Sequence, residues 1–289
     1  MKYLVVVTLT LLVIFGCTNN STKNNSALKS FKLEKAWSTD SVLKTPESAL
    51  YDEKRDVIYV TNMNKNPENE EEKAFISKIS TKGEIIDLIW IPGLNGPKGM
   101  AIYDDLLYAS DGKDELVIID IEKGELIDRV LYEGAQILND VSVDLSGVVY
   151  ISDSRAGVIY TYFEGEKKVW LDEGIDISNG LLCEKDRILV AGADVLSVEY
   201  DSKEITVIND SITGGDGIEE VGCGYYLVSE WPGEVYIIGP DSSITSLLNT
   251  REEKINTADI DYIKKDSLLL VPTFYKNTID AYKLIGEFN

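Results

Sequence analysis

The sequence predicts an all-β fold: a six-bladed β-propeller of four-stranded antiparallel blades, closed by the N-terminal strand. Three observations support this prediction. A short start motif recurs six times, the copies lie about 40 residues apart, and each leads into runs of β-branched and aromatic residues. Repeats of this length with several strands each are typical of propellers.

The start motif is a polar residue, then a small or acidic residue, then an apolar one. We call the first residue position one of the repeat and the second position two. The steps between copies are 51, 41, 40, 37 and 42 residues. The six copies are Glu47-Ser48-Ala49, Lys98-Gly99-Met100, Asn139-Asp140-Val141, Asn179-Gly180-Leu181, Asp216-Gly217-Ile218 and Ala258-Asp259-Ile260.

The second strand of each repeat is a near-continuous apolar run, as expected for a strand buried on both faces between stacked blades. These runs are predicted at 57–62, 106–111, 148–153, 188–191, 225–230 and 268–271. A third strand and a more polar fourth strand follow, but the sixth repeat ends before its fourth. The extra strand predicted at 31–37 supplies it and removes the exposed sheet edges.

Charge and composition exclude several function classes. The formal net charge is −22, from 50 acidic and 28 basic residues, so we expect neither nucleic acid nor anionic lipid as a partner. The chain has no histidine, which excludes Ser-His-Asp and Cys-His catalysis and imidazole metal ligands. The remaining chemistry belongs to carboxylates, amides, Lys, Tyr or an oxygen-bound cation.

The N-terminus resembles a lipoprotein-type signal peptide over residues 1–16. Lys2 precedes an apolar run too short to span a bilayer, and Cys17 follows as the expected lipidation site. An ordinary secretory signal is the alternative. A flexible tether at 17–30 then leads into the propeller at 31–289. We therefore expect an exported, monomeric cell-envelope lipoprotein, facing the periplasm or the cell surface, whose only membrane attachment is Cys17.

Two cysteines lie in neighbouring repeats of the predicted propeller. A disulfide between Cys183 and Cys223 is compatible with export. The two residues occupy different places within their repeats, which favours two free, partly buried thiols.

Position one is polar in five of the six repeats: Glu47, Lys98, Asn139, Asn179 and Asp216. Two carboxylates and two amide oxygens on one ring suit a hard cation such as calcium. The alternative is that they hydrogen-bond one another around a water-filled channel. The last residues of the second strands are expected close to this ring; they include Asn62, Asp111, Asp153 and Glu230.

The same residues carry a resemblance to the senescence-marker-protein/gluconolactonase/luciferin-regenerating-enzyme family, over roughly residues 40–285. The motifs are Pro46-Glu47-Ser48, Leu138-Asn139-Asp140, Ser178-Asn179-Gly180-Leu181 and Gly215-Asp216-Gly217. The resemblance implies a six-bladed propeller with one divalent cation, expected to be Ca²⁺, in its central channel. It also implies hydrolysis of a small-molecule lactone.

The resemblance assigns roles to four residues. It implies that Glu47, Asn179 and Asp216 bind the metal, that Asp216 is also the catalytic general base, and that Asn139 holds the substrate or a metal-bound water. The cation would polarise the lactone carbonyl.

Two positions depart from the family pattern. Ile137 stands where the resemblance places a sugar-binding arginine. Lys98 brings a positive charge to the ring, where it repels a metal ion or binds an anionic substrate. Alternatively, Lys98 turns outward or pairs with Asp140 or Glu47.

The sequence therefore leads to two functional hypotheses. The first is a metal-dependent hydrolase of a small lactone or related ester. The second is a non-catalytic propeller that binds a ligand or a protein, as a sensor or scaffold.

Overall fold

A computed structural model describes residues 31–65 and 73–287. The predicted signal peptide and tether, with Cys17, lie outside the described residues. The strands are β1 (Lys32–Ser38), β2 (Pro46–Asp52), β3 (Val57–Asn62), β4 (Ala74–Ser80), β5 (Ile85–Leu94), β6 (Met100–Tyr103), β7 (Leu106–Asp111), β8 (Glu115–Asp120), β9 (Glu125–Leu131), β10 (Leu138–Val143), β11 (Val149–Asp153), β12 (Val158–Phe163), β13 (Glu166–Leu171), β14 (Ser178–Cys183), β15 (Arg187–Gly192), β16 (Val195–Glu199), β17 (Ile205–Asn209), β18 (Gly215–Gly222), β19 (Tyr225–Glu230), β20 (Glu234–Ile238), β21 (Ile244–Asn249), β22 (Asp261–Ile263), β23 (Leu268–Pro272) and β24 (Ile279–Ile285).

These strands form six antiparallel four-stranded sheets, which confirms the predicted six-bladed β-propeller. Five blades use four consecutive strands, and the sixth has the order β1-β24-β23-β22. The inner strands β2, β6, β10, β14, β18 and β22 each contact the next, and β22 contacts β2 again. The ring is therefore closed, and the inner strands surround its central channel.

The predicted closure by the N-terminal strand is confirmed. β1 pairs with β24 from Lys32 opposite Ile285 to Ser38 opposite Asp280. The Asp280 carboxylate is buried and accepts bonds from Lys35 Nζ at 2.7 Å and Ser38 Oγ at 2.5 Å. One carboxylate of β24 is thus bonded to two side chains of β1, which strengthens the join between the two ends of the chain.

The hydrophobic core is divided into six clusters, each lying between two neighbouring blades. Between the first and second blades, for example, Tyr59 and Ile76 pack with Leu107 and Val117, all of them buried. The middle strands of a blade face such a cluster on both sides. This explains why the second strands are near-continuously apolar rather than alternating.

Helical structure within the described ranges is confined to two short 3-10 turns, Lys264–Asp266 and Phe274–Lys276. No helix in residues 31–65 and 73–287 has the length and apolar character to span a membrane.

The cysteine prediction is half wrong. Cys183 is a free thiol, so the pair is not bridged. Burial raises the pKa of this thiol to about 12. Cys223, in contrast, is not a free thiol, which corrects the expectation of two free thiols.

Candidate functional site

The inner strands of four blades carry a β-bulge at positions one and two. On β2, Pro46 pairs with Asn62, and the next pair joins Ala49 to Val60. β2 therefore has one more residue than β3 between these two pairs. The same shift occurs in β10, β14 and β18. Because a bulge redirects side chains, it takes positions one and two out of the regular alternation at one end of the channel.

Hydroxyl side chains near the ends of four second strands hold the bulged residues in place. They are Thr61, Ser110, Ser152 and Ser229. Ser152 Oγ accepts the Asp140 N–H at 2.9 Å and donates to the Asn179 carbonyl at 2.7 Å. Ser229 makes the equivalent two bonds, both at 2.8 Å. Both serines therefore join position two of their own blade to position one of the next.

Position two is crowded, and three blades have glycine there. A Cβ on Gly99 would stand 2.0 Å from Asp140 Oδ1, and one on Gly180 would stand 1.9 Å from the Asp216 carbonyl oxygen. No side chain fits at these distances, so glycine is required at both places. The other three blades carry Ser48, Asp140 and Asp259.

Glu47, Asn179 and Asp216 lie at this end of the channel, as the sequence predicts for position one. Asn179 Nδ2 donates to Asp216 Oδ1 at 2.9 Å. Glu47 and Asp216 are 6% and 4% exposed, and the Asp216 charge contributes to the raised pKa of Glu47. The two carboxyl groups are thus within electrostatic reach of each other in a dry environment.

Two buried oxygens of this group have no hydrogen-bond partner within the part of the chain that the structure describes. They are Glu47 Oε2 and Asn179 Oδ1. A buried acceptor left unpaired costs about 1–3 kcal/mol, and more when it carries charge. Both oxygens therefore need an external partner, either a donor or a cation.

Burial dominates the electrostatics of the site. It raises the pKa of Glu47 well above its ordinary value of 4.5, with a further contribution from Asp216. It also raises the pKa of Asp216 to about 7, against the opposing effect of the bond from Asn179. The pKa of Asp140 rises to about 7 for the same reason, although two backbone N–H groups oppose the shift. The positive charges of Lys98 and Lys65 oppose the shift at Glu47 but do not cancel it, so ionising this cluster without a further counter-charge is costly.

The donor set fits a divalent cation. No cluster of three or more His, Cys, Asp and Glu side chains in residues 31–65 and 73–287 has the arrangement of a metal site. The predicted ligands are two carboxylates and one amide. The unpaired oxygens of Glu47 and Asn179 are the hard ligands that calcium takes.

Lys98 brings its positive charge within electrostatic reach of the ring, as predicted, because this charge acts to lower the pKa of Glu47. Its ammonium donates to the carbonyls of Gly112 at 2.6 Å, Leu138 at 2.9 Å and Gly96 at 3.4 Å. It neither turns outward, being 6% exposed, nor pairs directly with Asp140 or Glu47. An ammonium has three donors, so this arrangement leaves none for an anionic substrate.

Asn139 is half-buried on the same ring. Its backbone carbonyl accepts the Gly99 N–H at 3.1 Å and the Ser110 hydroxyl. The residue is therefore fixed through its main chain. Its role in holding a substrate stays a prediction.

The polar residues that end the second strands hold loops in place. Asp153 accepts the backbone N–H groups of Gln136 and Ile137 at 2.6 and 3.0 Å, and Asp111 binds the corresponding loop of the blade before. Asn62 also accepts a backbone N–H, and Glu230 pairs with a guanidinium group. These groups position the loops that enter the inner strands.

Below the ring, the channel contains a cavity of about 230 Å³ that also has an acidic lining. Burial raises the pKa values of Asp259 and Glu219, and it raises that of Asp261 to about 6. The sequence pattern indicates no functional role for these groups or for Asp140. The signal that could have found Asp140 and Asp259 is the presence of aspartate at position two in two repeats, where three of the other four have glycine.

The closed ring of six blades with a polar axial site defines the chain as a six-bladed β-propeller. No protein-family model matches the sequence, and no curated protein matches it. Among solved structures, the selenomethionine-substituted virginiamycin B lyase from Staphylococcus aureus is similar, with a TM-score of 0.62 and 12% identity. The match covers 89% of this chain and 100% of that chain. At this identity the likeness shows the fold.

Proposed function

We propose that the chain is a metal-dependent hydrolase of a small lactone or related ester, acting at the bulged end of the central channel. The observation that carries the proposal is the pair of buried, unpartnered oxygens on Glu47 and Asn179 beside the Asp216 carboxyl. The sequence resemblance to the gluconolactonase-containing family supports the choice of substrate.

One divalent cation, expected to be calcium, would be held by Glu47, Asn179 and Asp216. When bound, it polarises the lactone carbonyl and makes a nearby water more acidic. Asp216 would take the proton of the attacking water, since the positive charge of the bound cation keeps this carboxyl ionised. Asn139 orients the substrate through its amide.

A non-catalytic ligand-binding or protein-binding propeller is the second candidate. Ile137 in the place of the expected arginine favours it, and so does the use of the Lys98 ammonium by three backbone carbonyls. Both features remove a charged donor that a polar substrate would use.

Calcium binding is tested first, by unfolding the protein with and without calcium after removal of metal with a chelator. At calcium one hundredfold above its dissociation constant, the wild type gains about 2.7 kcal/mol. Glu47→Gln loses most of that gain, whereas Glu53→Gln, an exposed control at the other end of β2, keeps it. Equal and negligible stabilisation of all three proteins would remove the case for the cation.

Hydrolysis is tested on a panel of lactones and esters with calcium present. The wild type opens at least one of them, and Asp216→Asn, while folded, does not. Because the similar structure bears the name of a lyase, elimination products are analysed beside hydrolysis products. Calcium binding without turnover on the panel would favour the binding propeller.

We also propose export as a cell-envelope lipoprotein, which rests on the sequence of residues 1–17. The Cys17→Ser variant is expected to lose incorporation of labelled fatty acid. Equal labelling of wild type and variant would contradict a lipid anchor at Cys17.

A further inference from the structure

An aromatic group at the bulged end of the channel, formed by Trp231, Phe274 and Tyr275, makes a rigid wall. Trp231 is 39% exposed and Tyr275 is 59% exposed, while Phe274 is buried beneath them. The three rings meet edge to face at 4.8–6.2 Å between centroids. Such pairs restrain one another, so two large rings are held towards solvent in a fixed arrangement.

The backbone places this wall next to the candidate site. Trp231 directly follows β19, whose last residue pairs with Gly215, the neighbour of Asp216. The Trp231 carbonyl accepts the Thr257 N–H at 3.3 Å, immediately before position one of the sixth blade. The wall therefore lies between the fifth and sixth blades, at the channel end that carries the cation ligands.

The turn that presents Phe274 is strained. Phe274 has φ 48°, a left-handed conformation that is unfavourable for a bulky side chain. The turn is tied to the start of β2, since Asn277 Oδ1 accepts the Thr45 N–H at 2.8 Å. Strain of this kind persists only where surrounding structure enforces it, and it clusters at functional sites.

Lys65 connects the wall with the site. Its ammonium lies 4.8 Å from the centroid of the Phe274 ring and 5.6 Å from that of Tyr275. The same charge acts to lower the pKa of Glu47, so it is within electrostatic reach of that carboxyl. The wall and the proposed cation ligands thus border one space.

Two isoleucines stand at equivalent positions on the third and fourth blades. Ile137 and Ile177 each lie two residues before a position-one asparagine; Ile137 is half-buried and Ile177 is 46% exposed. The backbone of Ile137 is fixed by its N–H to Asp153 at 3.0 Å and by the Ser154 N–H to its carbonyl at 2.9 Å. Apolar residues therefore stand two positions before position one on the third and fourth blades, in addition to the aromatic group of the fifth and sixth.

We infer that the substrate of this site is a lactone or ester that carries an apolar alkyl or aryl substituent, rather than a polyhydroxylated sugar lactone. The inference rests on the proposed function for the reacting group and on these apolar and aromatic residues for the substituent. Trp231 and Tyr275 cover one side of the substituent, and Ile137 and Ile177 cover the other.

The test uses γ-butyrolactones with 4-alkyl chains of increasing length and, as non-hydrolysed probes, the matching γ-lactams. With calcium present, kcat/KM for the lactones and the association constant for the lactams each rise about fourfold per methylene in the wild type. The rise flattens in Trp231→Ala. It persists in Phe163→Ala, which removes an exposed aromatic residue from the third blade.

The two readouts separate this inference from the proposed function. Lactam binding that strengthens with chain length, without lactone turnover, supports the apolar subsite and contradicts the hydrolase. Turnover whose kcat/KM does not change with chain length, or is higher for gluconolactone, contradicts the proposed apolar substrate. The proposed hydrolase activity is then still supported. If there is no turnover and binding does not depend on chain length, both the hydrolase and the apolar subsite are overturned.

Discussion

In the metal-free wild type, the free energy of unfolding is expected to fall substantially as pH rises. Replacing Asp216 with asparagine is expected to prevent much of this fall. Burial raises the pKa of this carboxyl from its ordinary value of 3.8 to about 7 in the folded protein. Between these values the folded state keeps a proton that the unfolded chain has released. The contribution of Asp216 to the free energy of unfolding therefore falls as pH rises from about 4 to about 7, and this contribution is level on either side.

The size of the effect follows from the two pKa values. A carboxyl whose pKa moves from 3.8 to about 7 loses on the order of 4 kcal/mol of favourable free energy across that interval. Asparagine does not titrate, and its amide oxygen can still accept the bond from Asn179 Nδ2. In chelator at pH 8, Asp216→Asn is thus more stable than wild type by up to about 4 kcal/mol, and near pH 4 the advantage vanishes.

The assay is urea unfolding of both proteins in chelator at several pH values from 4 to 8, with the exposed Asp176→Asn as a control. Glu47 and Asp140 still titrate in the variant, so the difference between the two curves reports the titration of Asp216 together with its electrostatic effect on these two neighbours. Calcium is expected to restore the wild type at pH 8 and to have little effect on Asp216→Asn. Parallel stability curves for wild type and Asp216→Asn would refute the reasoning.

Two further changes test how the ring is built. Gly99→Ala would force a Cβ against the Asp140 side chain, so it is expected to lower the free energy of unfolding by about 1–3 kcal/mol. Gly214→Ala, whose Cβ meets nothing closer than 3.5 Å, is the control, and equal thermal stability of the two variants would contradict the crowding. Ser152→Ala leaves the Asn179 carbonyl without its hydroxyl donor and should cost about 1–3 kcal/mol in chemical unfolding; an unchanged midpoint would show that this bond is dispensable.

The strands and the closure of the ring were predictable because they depend on local pattern and on counting. A strand buried on both faces needs an unbroken apolar run, so β3, β7 and β19 match their predicted limits. The missing fourth strand of the last repeat left one edge to be filled, and residues 31–37 were the segment left over. The repeat length and the need to pair the last exposed sheet edge were therefore sufficient to predict the architecture.

The ring of position-one residues was also predictable, but their partners were not. The repeat places Glu47, Asn179 and Asp216 on one axis. It does not show that the Asn179 amide bonds Asp216 while its oxygen stays unpaired. Such choices depend on side-chain rotamers and on the bulge, and a one-dimensional pattern carries neither.

Lys98 and Asp153 show the same limit for charged residues. Both were assigned by proximity to the axis, on the view that a charge near a channel serves that channel. In the structure these charged groups bind the backbone of nearby loops. Lys98 donates to three carbonyls, and Asp153 accepts loop N–H groups. Loop main chain has no signature in sequence, so these contacts were not visible.

The pairing of β1 with β24 affects the stage of chain synthesis at which the candidate site can form. Asp259 on the last blade donates its N–H to the Glu47 carbonyl on the first blade at 3.0 Å, so the first and last blades also meet at the candidate site. A growing polypeptide that still lacks β24 already contains every candidate ligand. It still lacks the strand that joins β1 to the sixth blade, so we expect a premature stop before Ile279 to leave the ring open and the site unformed while each of its residues remains in the product.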